Sequence, residues 1–216
     1  MLEKMGEFFD ARVNGYEEHQ LTTIDSAEEI YPFTAGCLPQ AAGSHVLDLG
    51  CGTGLELGYY FETVPTAIVT GIDLAPGMLD TLRAKFPDKS LTLICGSYFD
   101  VPFEESTFDA AVSVESLHHF TKEEKIPLYT NVRKALKPGG FFILTDYFAL
   151  SGDEEQFHRA ELLRLKKEQS IADGEFYHYD TPLTVEHEKE ALFAAGFSAV
   201  TVLNRWGATF TLKACG

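Results

Sequence analysis

Apolar and polar positions along this chain switch repeatedly between a short extended period and a helical one. Apolar runs fall at 44–49, at Ala67-Ile68-Val69-Thr70-Gly71-Ile72, at Leu91-Thr92-Leu93-Ile94-Cys95, from Phe108 to Val114 and from Phe141 to Tyr147. Each is bounded by turn residues and is too short for a helix, so each reads as a strand. Helical patterns separate them, at 54–63, from near Pro76, and over 122–137. A proline is tolerated in a first helical turn, so Pro76 marks a helix start. Thr121-x-x-Glu124 has the form of a capping box, and Pro127 predicts a break after a short first turn. Pro138-Gly139-Gly140 reads as a turn before the fifth strand. Apolar strands alternating with helices predict an α/β fold, a parallel sheet with helices on both faces.

The ends follow other patterns. Residues 1–40 read as a helical cap ahead of the first core strand. In it, Phe8, Phe9, Val13 and Tyr16 mark an amphipathic helix ending near Asn14-Gly15. A second helix runs from a Ser26 cap to about Leu38, stopped by Pro39. Beyond Tyr147 come a charged helix over 152–172, the aromatic run Phe176-Tyr177-His178-Tyr179, and a helix from a Thr184 cap to Ala195, ended by Gly196. Two strands, Ser198–Asn204 and Ala208–Ala214, close the chain around Trp206-Gly207. There is no internal repeat, and residues 1–216 read as a single domain.

Composition narrows the function. Hydrophobic residues make up 45% of the 216, enough for a core without staples. A net charge of −16 repels phosphate backbones, which argues against a nucleic-acid partner and for a small-molecule one. No run of eighteen apolar residues predicts a membrane span. The Met1-to-Met5 start lacks the basic and apolar regions of a signal peptide. Cys37, Cys51, Cys95 and Cys215 are scattered without CxxC spacing. They are expected to be free thiols in a reducing cytoplasm, with no metal site and no disulfide.

The candidate chemistry centres on Val46-Leu47-Asp48-Leu49-Gly50-Cys51-Gly52-Thr53-Gly54, a strand running into three alternate glycines and then a helix. Glycine lets backbone pass close to a ligand, and the helix start offers free N–H groups. A dinucleotide fingerprint reads G-x-G-x-x-G, whereas this one reads G-x-G-x-G. Asp48 at the strand end is placed to face an ammonium group. Asp73 ends the second strand, nineteen residues beyond Gly54. An acid at that distance accepts ribose hydroxyls or, alternatively, caps the following helix.

At these residues the chain resembles the class I S-adenosylmethionine (SAM)-dependent methyltransferases, in particular the small-molecule branch related to ubiquinone/menaquinone-biosynthesis C-methyltransferases. The resemblance implies a Rossmann-like seven-stranded sheet in the order 3-2-1-4-5-7-6, with the last strand antiparallel. It implies SAM as cofactor, S-adenosylhomocysteine as product and a small organic acceptor. It places Tyr16 over the cofactor, although Tyr16 reads equally well as packing. Leu74, Met78 and Val114 join Asp48, Gly50, Cys51, Gly52, Gly54 and Asp73 in the expected cofactor site. The family usually reads Gly-Asp-Ala where this chain has Gly96-Ser97-Tyr98, so the adenine contact falls to the Ser97 hydroxyl, to Asp100 or to the Tyr98 backbone.

Glu115-Ser116-Leu117-His118-His119 leaves the fourth strand between the cofactor and acceptor sides. Either His118 or His119 orients or deprotonates the acceptor, or both are structural. With Glu115, the segments carrying Tyr147, Tyr177, His178, Arg205 and Trp206 are expected to roof the acceptor pocket, residues 148–183 forming an insertion. Two other readings stay open, a nucleotide-dependent oxidoreductase and a non-catalytic SAM-binding regulatory or partner subunit. A homodimer is compatible with all three.

Overall fold

In the computed structural model, which describes residues 1–171 and 174–216, the five apolar runs become parallel strands. These are β1 (His45–Leu49), β2 (Ile68–Asp73), β3 (Ser90–Cys95), β4 (Phe108–Val114) and β5 (Leu136–Tyr147). A hairpin of β6 (Ala199–Trp206) and β7 (Thr209–Cys215) completes a single sheet ordered β3-β2-β1-β4-β5-β7-β6. Strand β7 runs antiparallel to both neighbours. The strand order and the antiparallel β7 match those that the family resemblance implies.

Eight α-helices flank the sheet among the described residues: α1 (Met5–Asp10), α2 (Tyr16–Thr23), α3 (Ala27–Cys37), α4 (Leu55–Thr63), α5 (Pro76–Lys85), α6 (Lys122–Ala135), α7 (Gly152–Glu168) and α8 (Val185–Ala194). Side chains from alternate strand positions build a core on each face. Val46, Val69, Ala110 and Ile143 pack with residues of α3, α4 and α5. Leu47, Leu49, Ala111, Phe142 and Leu144 pack with α6 and α8 on the other side. The C-terminal ends of the parallel strands therefore open between two well-filled layers, the usual place for a ligand in such sheets.

The structure corrects four local expectations. The first helix ends at Asp10, and Gly15 caps the separate helix α2 that Tyr16 begins. The start of α1 is held by Met5 N donating to Phe176 O and by the Lys4–Tyr177 bridge, and Asp10 at its end accepts from Gly77 N. Pro127 does not split α6. Its missing N–H would have bonded the carbonyl of Glu123, and both residues lie on the solvent-exposed face, while Lys125, Leu128, Tyr129 and Val132 hold the opposite face down. The Pro138-Gly139-Gly140 segment is a bulge within β5, because Phe108 pairs with Leu136 whereas Ala110 pairs with Phe141. The closing turn falls at Gly207-Ala208, leaving Trp206 in β6. Helix α7 ends at Glu168; residue 172 of the expected helix lies outside the described residues.

Helices α6 and α8 are joined by a buried ion pair. Lys125 Nζ donates to Glu188 Oε2 at 2.6 Å, and the Tyr129 hydroxyl donates to Glu188 Oε1. Lys125 is 1% exposed and Glu188 fully buried. Removing one member strands the other in an apolar core, a loss of about 3–5 kcal/mol. Thermal unfolding should therefore show Lys125→Met strongly destabilised, and the double variant Lys125→Met/Glu188→Leu recovering much of that loss.

Candidate active site

The glycine turn after β1 is tied to β2 at several points. Gly50 N and Cys51 N donate to Ile72 O at 2.8 and 3.2 Å. Gly50 has φ +76°, and a Cβ there would fall 2.1 Å from Ser116 Oγ, so only glycine fits. Gly52 N donates to Asp73 Oδ2 at 2.9 Å, and Ala75 N to Asp73 Oδ1 at 2.8 Å. A Cβ on Gly52 would meet only the Tyr16 ring, at 3.8 Å. The Tyr16 ring thus lies directly over the turn.

Beneath the turn lie two buried acids. Asp48 is 1% exposed and Glu56, in the first turn of α4, is 4% exposed. Asp48 Oδ2, Glu56 Oε1 and Thr53 Oγ1 have no hydrogen-bond partner among the described residues. Burial, and then the charge of Glu56, push the Asp48 carboxyl well above its ordinary range. Burial raises Glu56 too. Orphaned buried oxygens are costly. A group with several N–H donors and a positive charge would satisfy them.

Beyond the turn a narrow cleft lined by Gly50, Gly52, Asp73, Met78 and Val114 leads toward a larger cavity of about 490 Å³. Phe9, Tyr16, Glu115 and His119 line both. At the junction His118 Nδ1 and Asp146 Oδ1 are 2.5 Å apart, and Leu117 N donates to the other Asp146 oxygen at 2.8 Å. Burial opposes charge on His118, but the Asp146 carboxylate outweighs it and lifts the imidazole to about 9. Burial alone would raise Asp146; the facing imidazolium holds it below its ordinary range. His119 behaves oppositely, lowered to about 4 by burial and by the neighbouring His118 charge. Asp180 Oδ1 lies 3.1 Å from His119 Nδ1 and 3.6 Å from His118 Nε2. Burial, then the charge of Asp146, raises Glu115 to about 8. Two overlapping donor sets, His118–His119–Asp180 and Glu115–His118–Asp146, gather within 4.8 Å, close enough to hold a metal ion.

The fold brings most of the sequence candidates together. Gly50, Gly52, Asp73, Met78, Val114 and Tyr16 line the cleft, with Cys51 and Gly54 in the turn itself. Glu115, His118, His119, Tyr147, His178 and Trp206 line the cavity. Five residues stand apart from these linings. Ser97 Oγ accepts from Phe99 N, and buried Tyr98 donates to Ser116 O. Leu74 packs against the core, and Tyr177 donates to Glu175 Oε2 at 2.9 Å outside the cavity. Arg205 is exposed and reaches Gly207 O. Sequence reasoning did not single out Glu56, Asp146 or Asp180. Asp146 carried a legible signal, an acid inside the apolar run Phe141 to Tyr147; Asp180 carried none.

The fold and the glycine-turn site define the class I methyltransferase architecture. Residues 46–140 match the family model described as a methyltransferase domain. A fatty-acid O-methyltransferase of Mycolicibacterium smegmatis is 32% identical over 61% of this chain, which spans 50% of that protein's length. An uncharacterized methyltransferase of Geobacillus sp. is 30% identical, with 86% of this chain matching 83% of the other. The solved structure titled "DhpI-SAM-HEP complex" superposes with a TM-score of 0.72 at 18% identity, covering 97% of this chain and 95% of that one. The chain belongs to the SAM-dependent methyltransferases. The orphaned oxygens under the turn suit this cofactor, whose methionine end carries an ammonium group.

The buried charges set a pH dependence. His118 is raised, so its stabilisation, on the order of 3 kcal/mol, is complete below about pH 6.5 and is lost as pH climbs through about 9. Glu115 is an acid raised to about 8, so ionising it between its ordinary value and 8 also destabilises the fold. The melting temperature should fall steadily from pH 6.5 to 9.5, and fall less steeply in Glu115→Gln and His118→Asn.

Proposed function

We propose that the chain methylates a small-molecule acceptor held in the 490 Å³ cavity, with SAM in the cleft over the glycine turn. The observation that carries this reading is the shared wall. Phe9, Tyr16, Glu115 and His119 face both spaces, so a methyl donor in one meets an acceptor in the other. SAM supplies a methyl group on a positively charged sulfur, a good leaving group, so positioning and exclusion of water provide most of the rate.

The chain's residues divide that work. Asp73 takes the ribose hydroxyls with the lone pairs left by Gly52 N and Ala75 N. Asp48 and Glu56 hold the methionine ammonium, and Met78, Val114 and Tyr16 pack about the nucleoside. His118, fixed through Nδ1 by Asp146, presents Nε2 to the acceptor side, where the charged imidazole orients the acceptor. The Mycolicibacterium relative is named for a fatty-acid acceptor. A carboxylate acceptor calls for a cation opposite it, and no Lys or Arg lines this cavity among the described residues.

Isothermal titration of Asp73→Ala should show both SAM and S-adenosylhomocysteine bound at least tenfold more weakly; unchanged affinity removes the ribose assignment. For His118→Asn, turnover should drop about 10²-fold or more, with SAM affinity within threefold of the parent. Equal losses in both would mark His118 as a structural residue.

A further inference from the structure

We infer that the acceptor is an amine, bound as its ammonium ion by Glu115 and Asp180 at the mouth of the cleft; the inference rests on the acceptor-cavity reading above. Three carboxylates line the cavity, Asp25, Glu115 and Asp180, together with three histidines, His118, His119 and His178, and no Lys or Arg among the described residues. The imidazole that carries charge, His118, is already paired with buried Asp146. The cavity wall is therefore net negative before a ligand arrives. Aromatic rings of Phe9, Tyr16, Tyr147 and Trp206 complete it, and ring faces attract cations.

Glu115 stands out within that set. Its side chain is 10% exposed and touches both cleft and cavity. Its backbone takes φ +48°, a left-handed conformation that costs a non-glycine residue energy and recurs at functional positions. One oxygen accepts from Thr209 Oγ1 at 3.2 Å, and the other lies 3.9 Å from His118 Nδ1, beyond hydrogen-bond reach. The nearest cation, His118, is held by Asp146 at 2.5 Å and stands farther from Glu115. An ammonium ion supplies the missing counter-charge. Asp180, half-exposed at the rim, presents a second carboxylate toward the same space.

The proton balance then closes on residues of the chain. The bound R–NH3⁺ gives one proton to the facing Glu115 carboxylate, and R–NH2 is left with a free lone pair. The N–CH3 bond forms as the C–S bond breaks with its electron pair going to sulfur. The products are R–NH2⁺–CH3, S-adenosylhomocysteine and the Glu115 proton, which returns to solvent.

The test is titration calorimetry on the full chain, saturated with S-adenosylhomocysteine and in EDTA so that no divalent cation occupies His118, His119 and Asp180. The probes are 2-phenylethylamine and a matched panel of arylalkyl amines, with the alcohols and carboxylates of the same length. Amines should bind saturably and gain label from methyl-labelled SAM. Glu115→Gln should weaken amine binding tenfold or more with S-adenosylhomocysteine affinity within twofold; Asp180→Asn, at the half-exposed rim, gives the same readout if Glu115→Gln does not fold. Alcohols or carboxylates binding as well as amines, no probe binding while S-adenosylhomocysteine does, or amine affinity unchanged in the variants that fold, would each overturn the inference. Failure of S-adenosylhomocysteine itself to bind would remove the methyl-transfer reading, and this inference with it.

Discussion

Desolvated negative charge at the C-terminal edge of the parallel sheet is the constraint to which the rest of this molecule answers. Asp48 lies next to the end of β1, Asp73 ends β2, Glu115 follows β4 and Asp146 lies near the end of β5. Taking a carboxylate out of water is costly unless a cation or several N–H donors replace the water. The protein answers this differently at each strand. Asp73 receives two backbone N–H groups, and Asp146 receives an imidazole and the Leu117 amide. Asp48 and Glu115 receive much less: Asp48 Oδ2 has no donor, and Glu115 has a single hydroxyl. In the proposed reaction each of these two under-served acids meets a positively charged ligand.

That distribution explains why the neighbouring histidines differ. His118 and His119 are adjacent, with ring centroids 4.0 Å apart, yet their protonation is driven in opposite directions. The short turn between β4 and α6 aims His118 at a buried carboxylate and leaves His119 against Phe9 and His178. Once one imidazole holds a proton, its charge disfavours a second beside it. A charged and a neutral histidine thus share a wall of the cavity, His118 facing buried Asp146 and His119 facing the half-exposed Asp180.

The N-terminal helices close this arrangement from outside the sheet. Residue Lys4 bridges to Tyr177 and pairs with Glu175, so the start of the chain is fastened to the segment after α7. Phe8 stacks on His178 at 3.6 Å, and Asp10 accepts from Gly77 N at the start of α5. Phe9 and Tyr16 are thereby carried over the junction of cleft and cavity. Loosening that fastening would open the site to water, the condition that methyl transfer most needs to avoid.

Much of the fold was legible in the order of residues, because strand burial and helix period are local properties. The apolar runs, the glycine turn from Gly50 to Gly54 and the Thr121–Glu124 capping box each state their geometry within a few residues. Positions that depend on distant partners were not legible. Pro127 breaks a lone helix but is tolerated where a buried stripe clamps α6, and Gly15, which can end a helix, here caps the start of α2. The same holds at the site. That Asp48 and Asp73 sit at strand ends follows from sequence alone. That Asp146 faces His118, that Glu56 lies beside Asp48, and that Tyr177 turns away from the cavity while Asp180 turns in were decided by tertiary structure. Burial and charge pairing join residues tens of positions apart, and no local pattern encodes them.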